Sequence, residues 1–395
     1  MSFTTFEAEE WQSRYEHTVA HNLADSGCHP VVLSELLGDD ARAIARFLAT
    51  ELHYPPVAGT DHLRALIAHW HAADAANVLV TVGAAEANNI TVASLVRPGD
   101  HVVVMEPGYR QVRGCALNAG AEVDTLQLDP EHSWRPDLAA LKHAVRPDTK
   151  IVAVINPSNP VGTILTDAEM DVIIAVADSV GAWILADEVY RGTERTTDIV
   201  TPSFWGRYDK VVCVSSLSKA FGLPGLRLGW LVAPQQTVQR AWRHHEYVAI
   251  ATSQLSMYLA ETALEPVTRD RLLARNRSLI REGYAHLQQW IDGSDSLLSI
   301  VPPHATALGL VRYDLPISSL EVAHALRVQG GVLVGAGSHF GAEHHIRITY
   351  GLELSYLDAA LASTTRVLMP QPRQPPASLT ARHSYSNARQ EVRKG

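Results

Sequence analysis

Seven short apolar runs rich in β-branched residues recur between residues 78 and 234: VLVTVG (78–83), HVVVMEP (101–107), AEVDTLQL (121–128), KIVAVINP (150–157), WILADEVY (183–190), KVVCVSS (210–216) and LRLGWLVAP (226–234). They alternate with helical patterns, which predicts an α/β fold whose mostly parallel seven-stranded sheet carries helices on both faces. In such sheets ligands lie beyond the carboxyl ends of the strands, so the residues after each run are the places to search for chemistry.

The chain has 395 residues, beyond the size at which one hydrophobic core stops growing, so a second unit is expected. Helical periodicity in RDRLLARNRSLIREGYAHLQQWI reads as a long helix leading to it, and 286–368 mixes strands and helices as a smaller α/β domain does. The division expected is an N-terminal arm with part of the small domain over 1–49, a large ligand-binding domain over 50–285, a small C-terminal domain over 286–368 and a polar tail over 369–395. The tail is rich in proline and arginine and lacks the apolar residues that would offset the entropy of ordering it.

Apolar residues at 46% and charged ones at 19% describe a globular chain. A net charge of −9 with no basic stripe argues against nucleic acid and anionic membrane as partners. No apolar run approaches the roughly 20 residues that span a bilayer, and the acidic start FEAEEWQSRYEH does not read as a signal peptide, so a cytoplasmic enzyme is expected. Cys28, Cys115 and Cys213 stand far apart without a CxxC pair and read as buried, reduced thiols.

The strand ends carry an unusual set of residues. Gly83, Ala84 and Ala85 open a helix, where free N–H groups and the helix dipole suit a phosphate. Tyr109 comes after the second run as an aromatic able to cover a flat ring. Two Asn-Pro pairs in NPSNPVG present side-chain amides from fixed turns, Asn159 among them. Asp187 and Tyr190 end a strongly apolar strand, where a carboxylate needs a cation or hydrogen-bond donors. Ser216, Ser218, Lys219 and Arg227 close the series. A lone lysine in a loop is usually surface, but an anion pocket, a stacking aromatic, a buried aspartate, a phenol, an amide and one lysine together suit a phosphorylated, aldehyde-bearing pyridine with which the amine forms a Schiff base.

NPSNPVG, LADEVY, SSLSKAFGLPGLRLGW and HHIRITY, in this order, resemble the signature segments of the class I/II aminotransferases, pyridoxal 5'-phosphate (PLP) enzymes of fold type I. The resemblance covers about residues 30 to 368. It implies that Lys219 is the Schiff-base lysine and later the proton shuttle at the substrate's α-carbon. Asp187 would pair with the pyridine nitrogen, Tyr190 and Asn159 would hold the ring's phenolic oxygen, and Tyr109 would stack on the ring. The phosphate would fall to the amides of Ala84 and Ala85, to Ser216 and Ser218, and to Arg227. Arg347, in HIRITY, matches the arginine that forks onto the substrate's α-carboxylate. Tyr54 matches a tyrosine that reaches the neighbouring subunit's phosphate, implying a homodimer with shared active sites.

The stretch NLADSGCHPVVLSELL (22–37) resembles the same region of the capreomycidine synthases, PLP enzymes that cyclise 3-hydroxyarginine for peptide antibiotics. By that resemblance Ser26 and Gly27 line the substrate pocket, the substrate is a small arginine-derived amino acid, and Asp25 is a candidate partner for its cationic tail. The competing expectation is a conventional aminotransferase that passes an amino group to a 2-oxo acid. A sensor that keeps the PLP domain beside a DNA-binding region is disfavoured by the absence of a basic recognition helix before residue 55. A metal enzyme is disfavoured because the adjacent pairs His244-His245 and His344-His345 point to different sides of their elements, and no metal is expected.

Overall fold

The inner strands of the large sheet alternate their side chains between two hydrophobic layers, so they read as nearly continuous apolar runs, whereas the outer strand Glu122–Asp129 alternates buried and exposed residues. In a computed structural model, which describes residues 3–38 and 40–369, Val103, Val152, Ile184 and Val211 point into one layer and Val102, Val104, Ile151, Leu185 and Val212 into the other. Across the sheet the order is Val78–Thr81, Gly229–Val232, Val211–Ser216, Trp183–Asp187, Thr149–Ile155, His101–Glu106, Glu122–Asp129 and Arg135–Pro136. The sheet therefore has eight strands where the apolar runs predict seven. The additional strand is two residues long, pairs antiparallel with Leu128 and Asp129, and is too short to carry a pattern.

The four central pairings, from Val211–Ser216 through to Glu122–Asp129, are parallel. Gly229–Val232 runs against both its neighbours. Its first residue consequently lies beside the last residues of the strands it separates, with Gly229 paired to Ser216 on one side and to Thr81 on the other. The carboxyl ends of the parallel strands and the start of Gly229–Val232 thus meet along one edge of the sheet.

Helices Gly83–Leu95 and Gln235–Val248 cover one face, through Ala87, Ile90, Val238 and Ala241. Helices Asp61–His71, Asp167–Val180 and Gln254–Leu264 cover the other, through Leu63, Ile67, Met170, Ile173, Met257 and Ala260. Thr166 and Glu169 form a reciprocal capping box that starts the second of these helices at a defined residue.

A second core forms around an antiparallel sheet ordered Leu298–Ile300, Leu308–Tyr313, His345–Thr349 and Gly335–Ala336, with helices Ser319–Gly330 and Leu354–Leu368 packed against it. Helix Pro266–Asp292 serves both cores: Leu272 and Leu273 pack into the first, and Ile280, Tyr284, Leu287 and Ile291 into the second. The 285/286 boundary drawn from the sequence falls inside this helix, and we propose the large and small domains as units joined along it. His21–Asn22 pairs in parallel with Val332–Leu333, and Leu23 packs into the second core, so the N-terminal arm is woven into that unit. Nearly all of the polar tail lies outside the described residues.

Candidate active site

The edge where the parallel strands end opens into a cleft. It is lined by Ser26, Ala84, Ala85, Tyr109, Asn159, Asp187, Tyr190, Ser216, Ser218, Lys219 and Arg227, which are most of the residues singled out in the sequence. Arg347 and Gly27 lie directly behind this lining. Arg347 Nη1 donates to Asn159 Oδ1 at 3.2 Å, and the Gly27 carbonyl accepts from Thr349 Oγ1 at 3.0 Å. Tyr54 alone stands apart, 82% exposed on the surface.

At one end of the cleft the backbone turns from Val78–Thr81 into helix Gly83–Leu95. Gly83 has φ +75°, and a Cβ there would stand 2.5 Å from Arg227 Nη2, so only glycine lets the guanidinium lie against the turn. Arg227 itself holds a left-handed φ of 47° and donates to Ser218 Oγ at 3.4 Å. Gly222 (φ +69°) also needs its freedom, whereas nothing lies within 4 Å of a Cβ placed on the neighbouring Gly225. The unpaired N–H groups of a helix start, two hydroxyls and an arginine make a cradle suited to a phosphate.

At the cleft floor Asp187 accepts from Asn88 Nδ2 at 2.9 Å and from the Val189 N–H at 3.2 Å. It has no cationic partner among the described residues, and burial pushes its carboxyl pKa up against those two hydrogen bonds. Its neighbour Glu188 points the other way, fully buried, and is satisfied by Ser203, the Phe204 N–H and Arg191. Asn159 Nδ2 reaches Tyr190 Oη at 3.4 Å, and Tyr190 Oη donates to the Ser26 carbonyl at 3.0 Å. Burial pushes the Tyr190 phenol above its ordinary range.

Lys219 Nζ donates to Ser26 Oγ at 2.6 Å. Burial depresses its pKa; the carboxylate of Asp25 opposes that shift, and the guanidinium of Arg347 adds to it. Arg347, 4% exposed, donates through Nη2 to the Ala24 carbonyl at 2.5 Å and lies over the Phe340 ring, its Cζ 4.4 Å from the centroid. It too lacks a carboxylate among the described residues, and its Nε has no partner. A buried guanidinium against an aspartate-floored cleft is a costly arrangement that a bound carboxylate offsets.

Three polar lining residues escape sequence reasoning. Asn88 supports Asp187, Gln111 Nε2 donates to the Ala85 carbonyl at 2.8 Å, and Glu9, in helix Glu7–Tyr15, accepts from Tyr109 Oη at 2.8 Å. The Asn-Asn pair inside an apolar helix was a readable sign; Glu9 sits in an acidic stretch that resembles ordinary surface. Of the cysteines, Cys28 and Cys213 are buried and Cys115 is half-buried, correcting the expectation that all three are interior.

The residues present fit PLP. The phosphate cradle, the unpaired buried Asp187 for a protonated ring nitrogen, the Asn159–Tyr190 pair and a lysine of lowered pKa form one donor set around one cleft. The family model "Aminotransferase class I and II" matches residues 41–363, and the chain belongs to that family of PLP-dependent enzymes. A PLP-dependent aminotransferase from Streptococcus suis 89-1591 superposes with a TM-score of 0.88 at 29% identity, covering 95% of this chain and all of that one. The capreomycidine synthase of Streptomyces vinaceus is 28% identical over 366 residues, 91% of this chain and 92% of that protein. The structure of the PLP-dependent cyclase OrfR superposes with a TM-score of 0.83 at 26% identity, over 93% of this chain and 98% of that one.

Proposed function

We propose that this enzyme cyclises a β-hydroxylated arginine in the cytoplasm as part of antibiotic biosynthesis, a reading supported by the resemblance of residues 22–37 to the capreomycidine synthases and by the likeness to the Streptomyces vinaceus capreomycidine synthase. The observation that carries the reading is the charge of the N-terminal segment. Glu9 lines the cleft, Asp25 adjoins the lining residue Ser26 and accepts its N–H at 2.5 Å, and neither carboxylate forms an ion pair among the described residues. A site that would already satisfy its cations with a phosphate and an α-carboxylate keeps two carboxylates for a cationic tail.

In this reading PLP supplies an electron sink for the pair left when the α-proton departs. Ala84, Ala85, Ser216, Ser218 and Arg227 hold the phosphate, with Tyr54 of a second copy reaching it in a homodimer. Asp187 keeps the ring nitrogen protonated, Asn159 and Tyr190 hold the phenolic oxygen, and Tyr109 covers the ring face. Arg347 grips the α-carboxylate with Asn159 beside it, and Ser26 and Gly27 border the substrate. The Lys219 amine takes the α-proton of the substrate; the β-hydroxyl leaves with a proton as water, a guanidine nitrogen gives up its N–H proton as it adds at the β-carbon, and Lys219 returns a proton to the α-carbon. The net change is loss of one water with the amino group retained.

Incubating the holoenzyme with 3-hydroxyarginine tests this. A product lighter by one water, formed without pyridoxamine phosphate or a 2-oxo acid, supports cyclisation. Amino transfer to 2-oxoglutarate without dehydration replaces it with the second reading, a conventional aminotransferase, which the likeness to the Streptococcus suis protein favours. The homodimer is tested by light scattering of the holoenzyme; a monomer with full activity removes Tyr54 from the site.

A further inference from the structure

Ser26 lies where the N-terminal segment crosses the cleft, and each of its polar groups is engaged. Its hydroxyl accepts from Lys219 Nζ at 2.6 Å, its carbonyl accepts from Tyr190 Oη at 3.0 Å, and its N–H donates to Asp25 Oδ1 at 2.5 Å. The backbone on either side is tied down as well. The Ala24 carbonyl is held by Arg347, and the Gly27 carbonyl by Thr349. The hydroxyl is therefore carried on a fixed stretch of chain and aimed at one flexible amine.

We propose that Ser26 is the positioning residue for Lys219: once the substrate's amine has released the lysine, the Ser26 hydroxyl takes one N–H of that amine and turns its lone pair toward the substrate's α-carbon. A lysine ends a four-carbon stem, and a free amine on such a stem samples many directions of which few face the α-carbon. Serine suits the post because its hydroxyl oxygen can accept an N–H whether the amine carries two protons or three, which leaves the lone pair of the neutral amine free. The inference rests on Lys219 being the PLP-bearing lysine. It holds for cyclisation and for amino transfer alike, because both pass through removal of the α-proton.

The decisive comparison is Ser26→Thr against Ser26→Val, two side chains of nearly equal shape of which one keeps the hydroxyl, with Ser26→Ala as the simplest deletion. In the holoenzyme, exchange of the substrate's α-hydrogen with deuterated water, monitored by NMR, is expected to fall about 10- to 100-fold in the Ala and Val variants, with KM changed less than about threefold. Ser26→Thr, which keeps the hydroxyl, is expected to exchange about 10-fold faster than Ser26→Val. A readout independent of turnover uses the full chain freed of PLP, in which Lys219 is labelled by acetic anhydride across a pH series. Asp25, Glu9, Asp187, Arg347 and Arg227 are the charges acting on the amine, and all are kept in these variants. Loss of the acceptor hydroxyl removes support for the ammonium form, so the labelling midpoint should move down by about one pH unit in Ala and Val and stay in place in Thr. Equal exchange rates in Thr and Val, a rise in KM with kcat unchanged, or an unmoved midpoint in Val would each overturn the proposal. If Ser26→Ala does not fold, the Thr–Val pair still decides. Failure of the PLP reading is separate, since it would show as wild-type protein whose Lys219 carries no PLP after borohydride reduction.

Discussion

Two sets of residues meet at Lys219, and they are held by different means. The sheet-edge set (Ala84, Asn159, Asp187, Tyr190, Ser216, Ser218) hangs from the ends of strands buried on both faces. The N-terminal set (Glu9, Asp25, Ser26) hangs from a helix and an extended stretch tied to the second core by the two-residue pairing of His21–Asn22 with Val332–Leu333 and by Trp11 Nε1 donating to the Val334 carbonyl at 3.0 Å. The first set is rigid because the whole large core fixes it. The second is held by fewer ties, and in the proposed reading its carboxylates Glu9 and Asp25 are the part that meets the substrate's side chain.

Substitutions on the two sides should separate accordingly. Lys219→Ala should cost the most, at least about 10⁴-fold in turnover, with no PLP found covalently attached by mass spectrometry after borohydride reduction. Asp187→Asn should lower kcat by about 10²-fold or more, yet stabilise the PLP-free chain by about 1 kcal/mol at neutral pH, because a buried carboxylate with no cation is removed. The raised pKa sets the sign. A carboxyl whose folded pKa lies above its unfolded one costs stability when ionised, so the variant's advantage is full above the folded value. It shrinks as pH falls through that value and vanishes below the ordinary aspartate value of 3.8, which urea melts at several pH values would measure. Arg347→Lys should raise KM for the amino acid about 10- to 100-fold, as an ammonium cannot fork onto a carboxylate, and steady-state kinetics checks it. Glu9→Gln should have the smallest effect, about five- to tenfold in kcat/KM for 3-hydroxyarginine and none for an uncharged analogue of similar length. Equal losses on both substrates would reduce the N-terminal helix to a cover and erase the contrast between the two sets.

The same contrast explains what the sequence reveals. A strand buried on both faces is apolar at most positions, so the inner strands announce themselves, Glu122–Asp129 shows instead by its alternation, and the residues after the inner strands can be read off as lining. Asp187 and Glu188 are indistinguishable as letters; alternation along the strand sends one into the cleft and the other into a network with Ser203 and Arg191. Glu9 is legible to nothing local, because its place over Tyr109 depends on a helix docked through Trp11 on a unit more than three hundred residues further along the chain. Asn88 is similar: its role appears only once helix Gly83–Leu95 lies across the end of the strand that carries Asp187.

The parallel pairing of His21–Asn22 with Val332–Leu333 has a consequence for the order of assembly during synthesis. The arm leaves the ribosome long before the strand that will partner it, while the strands bearing Asp187 and Ser216, and with them Lys219, find their neighbours within the intervening chain. That order of emergence predicts that the strand ends around Lys219 pair before Ser26 can reach the lysine, which pulse-labelling hydrogen exchange during refolding would check.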